Sequence, residues 1–346
     1  MAKQMKAIHY KEAGPAKNLE LQTIDIPTPG DNDILVQIKA TAVNPVDYKI
    51  REGGIPGHDI TGFDAAGVIE EVGSAVKGFK KGDEVFYSGA LGRAGSSAQY
   101  NLIDYRLTAH KPKNLDWVHA AAFPLVSITA WELLGMHWHL EPEDPSGKQA
   151  KKSILIINGA GGVGSIATQL ARKVFKLGKV IVTASRPETI EHAKKMGATH
   201  VIDHHKDLKP QIQKDVGIDA VDYIFICHST GQYLPVAVDI AAPWGQIGSI
   251  VEVSEQLPAL HAQDAFMKSL SFTWELMLCK TVYGNELETQ GQILKQIAEL
   301  CDKGVLESLV TDTEELSVKG LIKAHEKLES GKSIGKICLT VGDDIQ

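Results

Sequence analysis

The chain has 346 residues, of which 43% are hydrophobic and 23% charged, and its formal net charge is −7. This length exceeds the usual size of one hydrophobic core, so we expect two domains. The acidic balance argues against binding to nucleic acid or to an anionic membrane, because both would repel such a surface. No run of apolar residues approaches the length of a membrane span.

The amino terminus and the cysteines indicate the cellular compartment. The first ten residues, MAKQMKAIHY, lack the basic and apolar regions of a signal peptide. The four cysteines are scattered over the last third of the chain and form no CxxC pair. We therefore expect a cytoplasmic protein whose cysteines are reduced, small core residues.

Apolar and polar residues mostly alternate from residue 6 to about residue 110. The clearest case is ILVQIKA at 34–40, and VIEEV at 68–72 and AQYNLI at 98–103 are similar. Segments rich in Gly, Pro and Asp separate them, as in PTPGDND at 27–33. This pattern predicts antiparallel strands in a small β-rich domain.

The pattern changes near residue 127, where continuous apolar runs begin to alternate with helical periodicity. These runs are SILIIN at 153–158, VIVTAS at 180–185, HVID at 200–203, VDYIFIC at 221–227 and QIGSIV at 246–251. Strands that alternate with helices predict a parallel sheet with helices on both faces.

The last part of the chain is mixed. Two amphipathic helices are predicted at 289–304 and 318–332, followed by a strand, KICLTV, at 336–341. We expect this tail to return to the first domain. The predicted division is therefore 1–126 for the β-rich domain, 127–270 for the domain with the parallel sheet, and 271–346 for the return.

The most specific motif stands directly after the first apolar run. It reads GAGGVG and is formed by Gly159, Ala160, Gly161, Gly162, Val163 and Gly164. Glycines in a strand-to-helix turn let the backbone approach a pyrophosphate, and the helix N-terminus supplies free N–H groups to the phosphates. The motif predicts a Rossmann-type dinucleotide site; the alternative is a glycine-rich turn that binds nothing.

The end of the second predicted strand indicates which dinucleotide is bound. An NAD site has a carboxylate there to hold the ribose 2′-OH, whereas this chain has Ser185 and Arg186. A guanidinium gives charge-assisted hydrogen bonds to a 2′-phosphate, so we predict NADPH. The alternatives are that Ser185 caps the next helix in a capping box with Glu188, and that Arg186 is a solvated surface residue.

The whole chain resembles the medium-chain dehydrogenase/reductase superfamily, which has a GroES-like catalytic domain and a Rossmann domain. The resemblance rests on VNPVDYKIREG at 43–53, GFDAAGVIEEVG at 62–73, KGDEVF at 81–86, AAFPLVSITAWELL at 121–134, GAGGVG at 159–164 and GKSIGKICL at 331–339. It implies an α/β fold in which a GroES-like β-rich catalytic domain accompanies a doubly wound parallel sheet.

The zinc site of that superfamily is not matched in this sequence. Zinc-dependent members carry Gly-His-Glu before a strand, and the register that matches here places Phe63 where the ligand histidine would be. A cysteine expected near Asn44 and the four-cysteine lobe are also missing, so a tetrahedral N/S site cannot be built from these motifs. We expect His58 to be a loop residue, and the resemblance is to the zinc-independent quinone oxidoreductase-like branch.

Without zinc, reduction of an electron-poor acceptor is the expected reaction, with hydride passing from NADPH to a quinone or an α,β-unsaturated carbonyl compound. Negative charge on the carbonyl oxygen needs donors, and the candidates are Asn44, Tyr48 and Lys49. The alternative for Asn44 is that it only starts a helical turn with Pro45 at the first helical position, and Tyr48 and Lys49 are equally suited to the surface. A non-catalytic NADPH-binding sensor or structural protein remains the alternative.

The resemblance implies further contacts and an assembly. Asn44 would touch the nicotinamide or its ribose, Ser249, Ile250 and Val251 would lie near the nicotinamide, and Lys336 near the mouth of the cofactor site. His204, expected at the end of the third strand, is a further candidate cofactor contact. Relatives are commonly homodimers, so we expect a homodimer.

Overall fold

The computed structural model describes residues 3–253, 256–342 and 344–346. The chain divides into two compact units, one made of Met1–Ile128 with Leu278–Gln346 and the other of Thr129–Met277. Strands and helices are numbered along the whole chain. The domain boundaries that we inferred from the sequence, after residues 126 and 270, stay predictions.

The strands are β1 (Gln4–Tyr10), β2 (Leu19–Asp25), β3 (Asp33–Ala42), β4 (Asp64–Val72), β5 (Glu84–Ser88), β6 (Tyr100–Asp104), β7 (Thr108–His110), β8 (Ser153–Ile157), β9 (Lys179–Thr183), β10 (His200–Ile202), β11 (Val221–Ile226), β12 (Ala241–Ser249), β13 (Ser271–Trp274), β14 (Val310–Glu315) and β15 (Lys336–Thr340).

The α-helices are α1 (Pro45–Gly53), α2 (Trp117–Ala121), α3 (Pro124–Trp131), α4 (Gly162–Gln169), α5 (Pro187–Met196), α6 (Leu208–Gln211), α7 (Thr230–Ile240), α8 (Gln263–Met267), α9 (Cys279–Tyr283), α10 (Glu288–Asp302) and α11 (Val318–Glu329). Wider π-helical turns at Glu132–His137, Leu170–Val174 and Ile212–Val216 continue α3, α4 and α6.

The second unit is built on a parallel sheet. Its six strands lie in the order β10-β9-β8-β11-β12-β13, and each neighbouring pair is parallel. The first strand of the unit, β8, is buried at all of its residues, as expected for a central strand covered on both faces. The order reverses between β8 and β11, which is where nucleotides bind in open sheets of this kind. The predicted Rossmann sheet is confirmed.

The first unit is built on a mostly antiparallel sheet. Its strands lie in the order β14-β15-β3-β4-β5-β7, β6 also pairs with β3, and β1 and β2 form a separate two-stranded sheet. The late strand β15 pairs antiparallel with β3, with Cys338 opposite Ala42. The carboxyl-terminal segment thus completes a sheet that the amino-terminal segment begins. The predicted β-rich, GroES-like domain is confirmed.

A buried arginine joins α1 to α11 within the first unit. Arg51 is fully buried and its Nη2 lies 2.5 Å from Glu329 Oε1. His325 stands one turn before Glu329 on the same helix face and is also fully buried. Burial, and then the neighbouring Arg51, lower the pKa of His325 to about 3.

One helical stretch requires a correction to the sequence analysis. Trp117–His137 is 21 residues long with a mean hydropathy of 1.3, which is long and apolar enough to cross a membrane. Our expectation that no run approaches that length was therefore wrong for this stretch. Its apolar window is 78% buried inside the protein, and core helices pass the same length and composition test, so it is weak evidence for a membrane span.

Candidate active site

The glycine motif forms the turn between β8 and α4. The chain leaves β8 at Ile157 and turns through Asn158, which has a φ of 62°. Helix α4 begins at Gly162, with Gly161 as its N-cap. The first N–H groups of a helix have no acceptor within it, and the positive end of the helix dipole lies there too. The turn therefore presents donors suited to a pyrophosphate.

Close packing explains why this turn contains glycine. A Cβ on Gly159 would lie 2.1 Å from Val182 Cγ1, and a Cβ on Gly164 would lie 2.4 Å from Asn158 O. Any larger residue would push the turn away from β9 and the helix away from the turn. The residues thus fit a dinucleotide, while the individual contacts of the six motif residues stay predictions.

Three predicted cofactor residues lie near the ends of β9 and β10. Ser185 Oγ lies 3.5 Å from His204 Nε2, and the rings of His204 and His205 are 4.3 Å apart. The Arg186 side chain is 41% exposed, with its Nε 3.5 Å from Glu188 Oε1. Burial and the neighbouring His205 lower the pKa of His204.

The sequence analysis missed His228, whose charge also acts to lower the pKa of His204. His228 follows the end of β11, and its Nδ1 is hydrogen-bonded to Ser229 Oγ at 2.5 Å. The strand order and the apolar run at 221–227 were the available signals, because carboxyl ends of neighbouring parallel strands share one edge. His204 and His228 therefore lie close enough at this end of the sheet for their charges to interact.

The alternative interpretation, that Ser185 caps the next helix, was wrong. The N-cap of α5 is Arg186, and Thr189 Oγ1 accepts from the Arg186 backbone N at 3.1 Å. Pro187 opens the helix as expected. Because Thr189 completes the helix start, Ser185 is not needed for it, and its hydroxyl lies beside His204 instead.

The predicted nicotinamide-side residues are fixed at the carboxyl end of β12. Ser249 is fully buried, and its Oγ lies 2.7 Å from Thr230 Oγ1. The Ile250 N donates to Ile226 O at 3.3 Å, and the Val251 O accepts from Thr230 Oγ1 at 2.5 Å. These bonds tie residues 249–251 to the ends of β11 and α7; their contact with a cofactor stays a prediction.

In the first unit, the start of α1 is fixed by a buried carboxylate. Asn44 is the N-cap and Pro45 the first helical residue, which confirms that part of the sequence analysis. Asp47 accepts from the Asn44 N at 2.7 Å and from the Gly62 N at 2.8 Å. Burial raises the pKa of Asp47 to about 7 against the effect of these two donors. Asp47 thus joins the helix start to the segment before β4.

Asp64 lies at the centre of a network that the sequence analysis did not include among the site residues. It is fully buried and accepts from Asn44 Nδ2 at 2.8 Å, from Lys336 Nζ at 2.8 Å and from the Leu125 N at 2.7 Å. Lys336 Nζ donates in addition to Val43 O at 3.1 Å and to Asn44 Oδ1. The three ammonium donors of Lys336 are therefore all engaged inside the first unit.

These bonds limit what Asn44 and Lys336 can do. The Asn44 amide is bound at both of its ends, and the side chains of both residues are buried. Contact with a cofactor would require one of these hydrogen bonds to be exchanged, so their predicted roles stay predictions. Asp64 was missed because its partners are 20 and 272 residues away in sequence.

Phe63 is the residue that the sequence resemblance predicts at the position of a zinc-ligand histidine, and that correspondence stays a prediction. Its side chain is 2% exposed and stacks on the His58 ring with 5.7 Å between centroids. His58 is also buried, and its Nε2 accepts from the Gly92 N. Burial lowers the pKa of His58. In the part of the chain that the structure describes, no group of three or more His, Cys, Asp or Glu could hold a metal ion.

Tyr48 and Lys49 take different directions on α1. The buried residues of the helix are Asp47, Ile50 and Arg51, so Tyr48 stands at the edge of the buried face and Lys49 opposite to it. Tyr48 is accordingly half-buried and Lys49 exposed. A donor at the edge of the packed face is the better fixed of the two.

Two family models match the chain. Residues 30–113 match the alcohol dehydrogenase GroES-like domain, and residues 162–289 match the zinc-binding dehydrogenase family. A zinc-type alcohol dehydrogenase-like protein of Staphylococcus epidermidis is 40% identical over 346 residues, covering 97% of this chain and 100% of that protein. A 2-methylene-furan-3-one reductase of Solanum lycopersicum is 30% identical over 348 residues, covering 97% of this chain and 79% of that protein.

Solved structures of quinone oxidoreductases share the fold. The enzyme from Coxiella burnetii is 25% identical with a TM-score of 0.80, covering 98% of this chain and 100% of that one. The Escherichia coli enzyme, complexed with NADPH, is 26% identical with a TM-score of 0.79, covering 97% of this chain and 99% of that one.

Proposed function

Because the chain belongs to the medium-chain dehydrogenase/reductase superfamily, in its quinone oxidoreductase-like branch, we propose that this oxidoreductase reduces quinones or α,β-unsaturated carbonyl compounds with NADPH and without a catalytic metal. The observation that carries the proposal is that Phe63, which we expect from the sequence at the position of a zinc ligand, is buried and stacked on His58. A phenyl ring cannot bind zinc, although the matching family is named for it.

The choice of NADPH is supported by the side chains at the ends of β9 and β10. Ser185 and Arg186 take the place of the carboxylate that holds a ribose 2′-OH, and His204 lies beside Ser185. A hydroxyl and a guanidinium suit a 2′-phosphate, whereas a carboxylate would repel it. The proposal is also supported by the Escherichia coli relative whose structure holds NADPH.

The chemistry requires a donor for the acceptor's carbonyl oxygen. When bound, NADPH would supply the hydride that forms a new C–H bond at the β-carbon of an enone. The π electrons of the enone then move to the carbonyl oxygen, and a proton from solvent completes the product at the α-carbon. We assign the stabilising hydrogen bond to the Tyr48 hydroxyl, because Tyr48 is held at the edge of the packed face of α1.

The roles of the other two candidate catalytic residues follow from their contacts. Asn44 is held by Asp64 and Lys336, so it would position the start of α1 and, through it, Tyr48. Lys49 is exposed and would add positive charge near the acceptor. Tyr48→Phe should lower kcat/KM for an enone about 10- to 100-fold, with Tyr283→Phe, at a tyrosine that is 79% exposed, as the matched control.

The proposed function is tested by NADPH oxidation with a panel of quinones and α,β-unsaturated ketones, with and without a chelator. We expect turnover that the chelator leaves unchanged, and little or no oxidation of ethanol or benzyl alcohol with NADP. Robust alcohol oxidation that disappears on chelation would overturn it. NADPH binding without turnover of any acceptor would instead support the second candidate, a non-catalytic NADPH-binding sensor or structural protein.

We propose that the protein is a cytoplasmic homodimer. The support is the position of β13 as the last strand of its sheet, near exposed apolar side chains. Trp244 is 81% and Phe266 82% exposed, and Trp274 lies on β13 itself. Exposed strand edges and exposed large apolar side chains favour association. Sedimentation equilibrium showing only a monomer at micromolar concentration would contradict the proposal.

A further inference from the structure

A cavity in the first unit contains none of the residues of the proposed reductase site. Its volume is about 560 Å³, and it lies between α10 and the segment around β7. Its lining includes two partly buried aromatic rings, a histidine and three lysines, namely Phe79, Tyr105, His110, Lys77, Lys113 and Lys295. Small-molecule sites commonly have a volume in this range.

The walls of the cavity are fixed in place at both ends of α10. Near the start of the helix, a Cβ on Gly291 would lie 2.5 Å from Arg106 O, so the helix backbone packs directly on the opposite wall. At the other end, Asp302 Oδ1 accepts from the Lys113 N at 2.7 Å, and Asn114 Nδ2 donates to Cys301 O at 2.8 Å. A ligand would therefore meet a preformed cavity.

The aromatic wall suits a flat ring. The rings of Phe79 and His110 are 4.9 Å apart with a tilt of 37°, and Phe79 and Tyr105 both pack against the core of the first unit on their inner side. Offset and tilted contacts of this kind are the arrangements that aromatic rings prefer. A third ring could thus pack on a surface that core packing already holds in place.

Some basic side chains of the cavity have hydrogen-bond or carboxylate partners, and others have no carboxylate nearby. Arg106 is bound by Asp104 through two hydrogen bonds, and Lys111 Nζ donates to two backbone oxygens and lies 3.3 Å from Glu84. By contrast, Lys77, Lys113 and Lys295 have no carboxylate within 4 Å among the residues that the structure describes.

The carboxylates of the lining are mostly engaged. Asp302 accepts two backbone N–H groups, and Glu288 lies 3.9 Å from Arg106, which leaves Glu299 as the lining carboxylate without such a partner in the described part of the chain. Lys77, Lys113 and Lys295 thus outnumber Glu299, the one lining carboxylate left without a partner in the described residues, although the protein has a net charge of −7. The local charge therefore favours an anion where the protein as a whole repels one.

We propose that this cavity is a second ligand site, which takes a flat aromatic anion such as an aryl carboxylate. The ring packs against Phe79, Tyr105 and His110, and the anionic group lies among Lys77, Lys113 and Lys295. The site goes beyond the proposed reductase function and does not depend on it, because no residue of the glycine motif or of the Asp64 network lines it.

Isothermal titration calorimetry of the full chain with 2-naphthoate tests the site, with 2-naphthamide as the neutral probe of the same shape. We expect 2-naphthoate to bind at least tenfold more tightly than 2-naphthamide. The double variant Lys77→Gln/Lys295→Gln should weaken 2-naphthoate about tenfold, since each exposed ion pair contributes a factor of about two to five. Phe79→Leu should weaken both probes.

The matched control is Lys214→Gln/Lys319→Gln, which removes the same charge from two exposed positions outside the cavity. It should leave the affinity for 2-naphthoate unchanged. Equal weakening by both double variants would show a general charge effect and overturn the proposal. Absence of binding, equal affinity for the two probes, or a soaked crystal with 2-naphthoate only at another site would overturn it as well.

Discussion

Replacing Asp64 by asparagine should destabilise the first unit strongly. The carboxylate accepts hydrogen bonds from Asn44, Lys336 and Leu125, and Lys336 is buried beside it. An asparagine would leave the Lys336 ammonium without its counter-charge. Its amide N–H₂ would also point at one of the three existing donors, where no hydrogen bond can form. Breaking a buried ion pair from one side costs about 3–5 kcal/mol, because a charge stays buried and unpaired.

Urea unfolding followed by circular dichroism measures this cost. With a typical slope, a loss of that size lowers the unfolding midpoint of the first unit by more than about 1 M. Asp33→Asn is the matched control in the same sheet, since Asp33 pairs with the partly exposed Arg93 at 2.9 Å. That substitution should cost about 1 kcal/mol or less.

A second substitution separates the loss of charge from a general packing defect. Lys336→Met removes the ammonium while it keeps an unbranched side chain, so Asp64→Asn/Lys336→Met should be more stable than the sum of the single losses predicts. The reasoning is refuted if Asp64→Asn shifts the midpoint no more than Asp33→Asn does, or if the two substitutions are additive.

Three further predictions concern the cofactor, the metal and the pH dependence. Arg186→Ala should raise the KM for NADPH about 10- to 100-fold and leave the KM for NADH nearly unchanged. Steady-state kinetics measures both constants, with Lys195→Ala as the control. An unchanged preference between the two cofactors would place Arg186 outside the site. Elemental analysis of the purified protein should find no stoichiometric zinc, and one tightly held zinc per chain whose removal abolishes activity would contradict this. Because the pKa of His325 is about 3 in the folded protein against 6.5 for an unperturbed histidine, the unfolded chain binds a proton that the folded chain does not as the pH falls from 6.5 toward 3. Between pH 7 and pH 4.5 this difference in proton binding lowers the free energy of unfolding by about 3 kcal/mol in the wild type, and the His325→Leu variant should lack that decrease. Equal pH dependence of stability in the two proteins would refute the lowered pKa of His325.

The parts of the fold that depend on local pattern could be predicted from the sequence. The alternating segment at 34–40 lies in β3, the apolar run at 153–158 gives β8, and the glycine motif forms the predicted turn into a helix. Each of these signals is contained within a few residues, so periodicity and glycine placement are enough to read it. The same holds for Asn44 and Pro45 at the start of α1.

The parts that depend on distant partners could not be predicted. Asn44 was correctly expected at a helix start, but its side chain bonds to Asp64 and Lys336, and only the folded sheet brings β4 and β15 to it. His58 lies in a loop as predicted, but its burial beside Phe63 could not be inferred from the sequence. Ser185 had the spacing of a capping residue, yet Thr189 completes the start of α5, because several hydroxyls near a helix start can compete for that position.

The pairing of β15 with β3 has a consequence for the order in which the chain folds during synthesis. Lys336 leaves the ribosome 272 residues after Asp64, a delay of roughly 15–50 s at ordinary rates of translation. Throughout this time the carboxylate lacks its counter-ion and β3 lacks its β15 neighbour, whereas every strand of the parallel sheet has already been made. The nascent protein should therefore acquire its nucleotide-binding unit first, and the amino-terminal part of the first unit should stay exposed to chaperones and proteases until the last strand arrives.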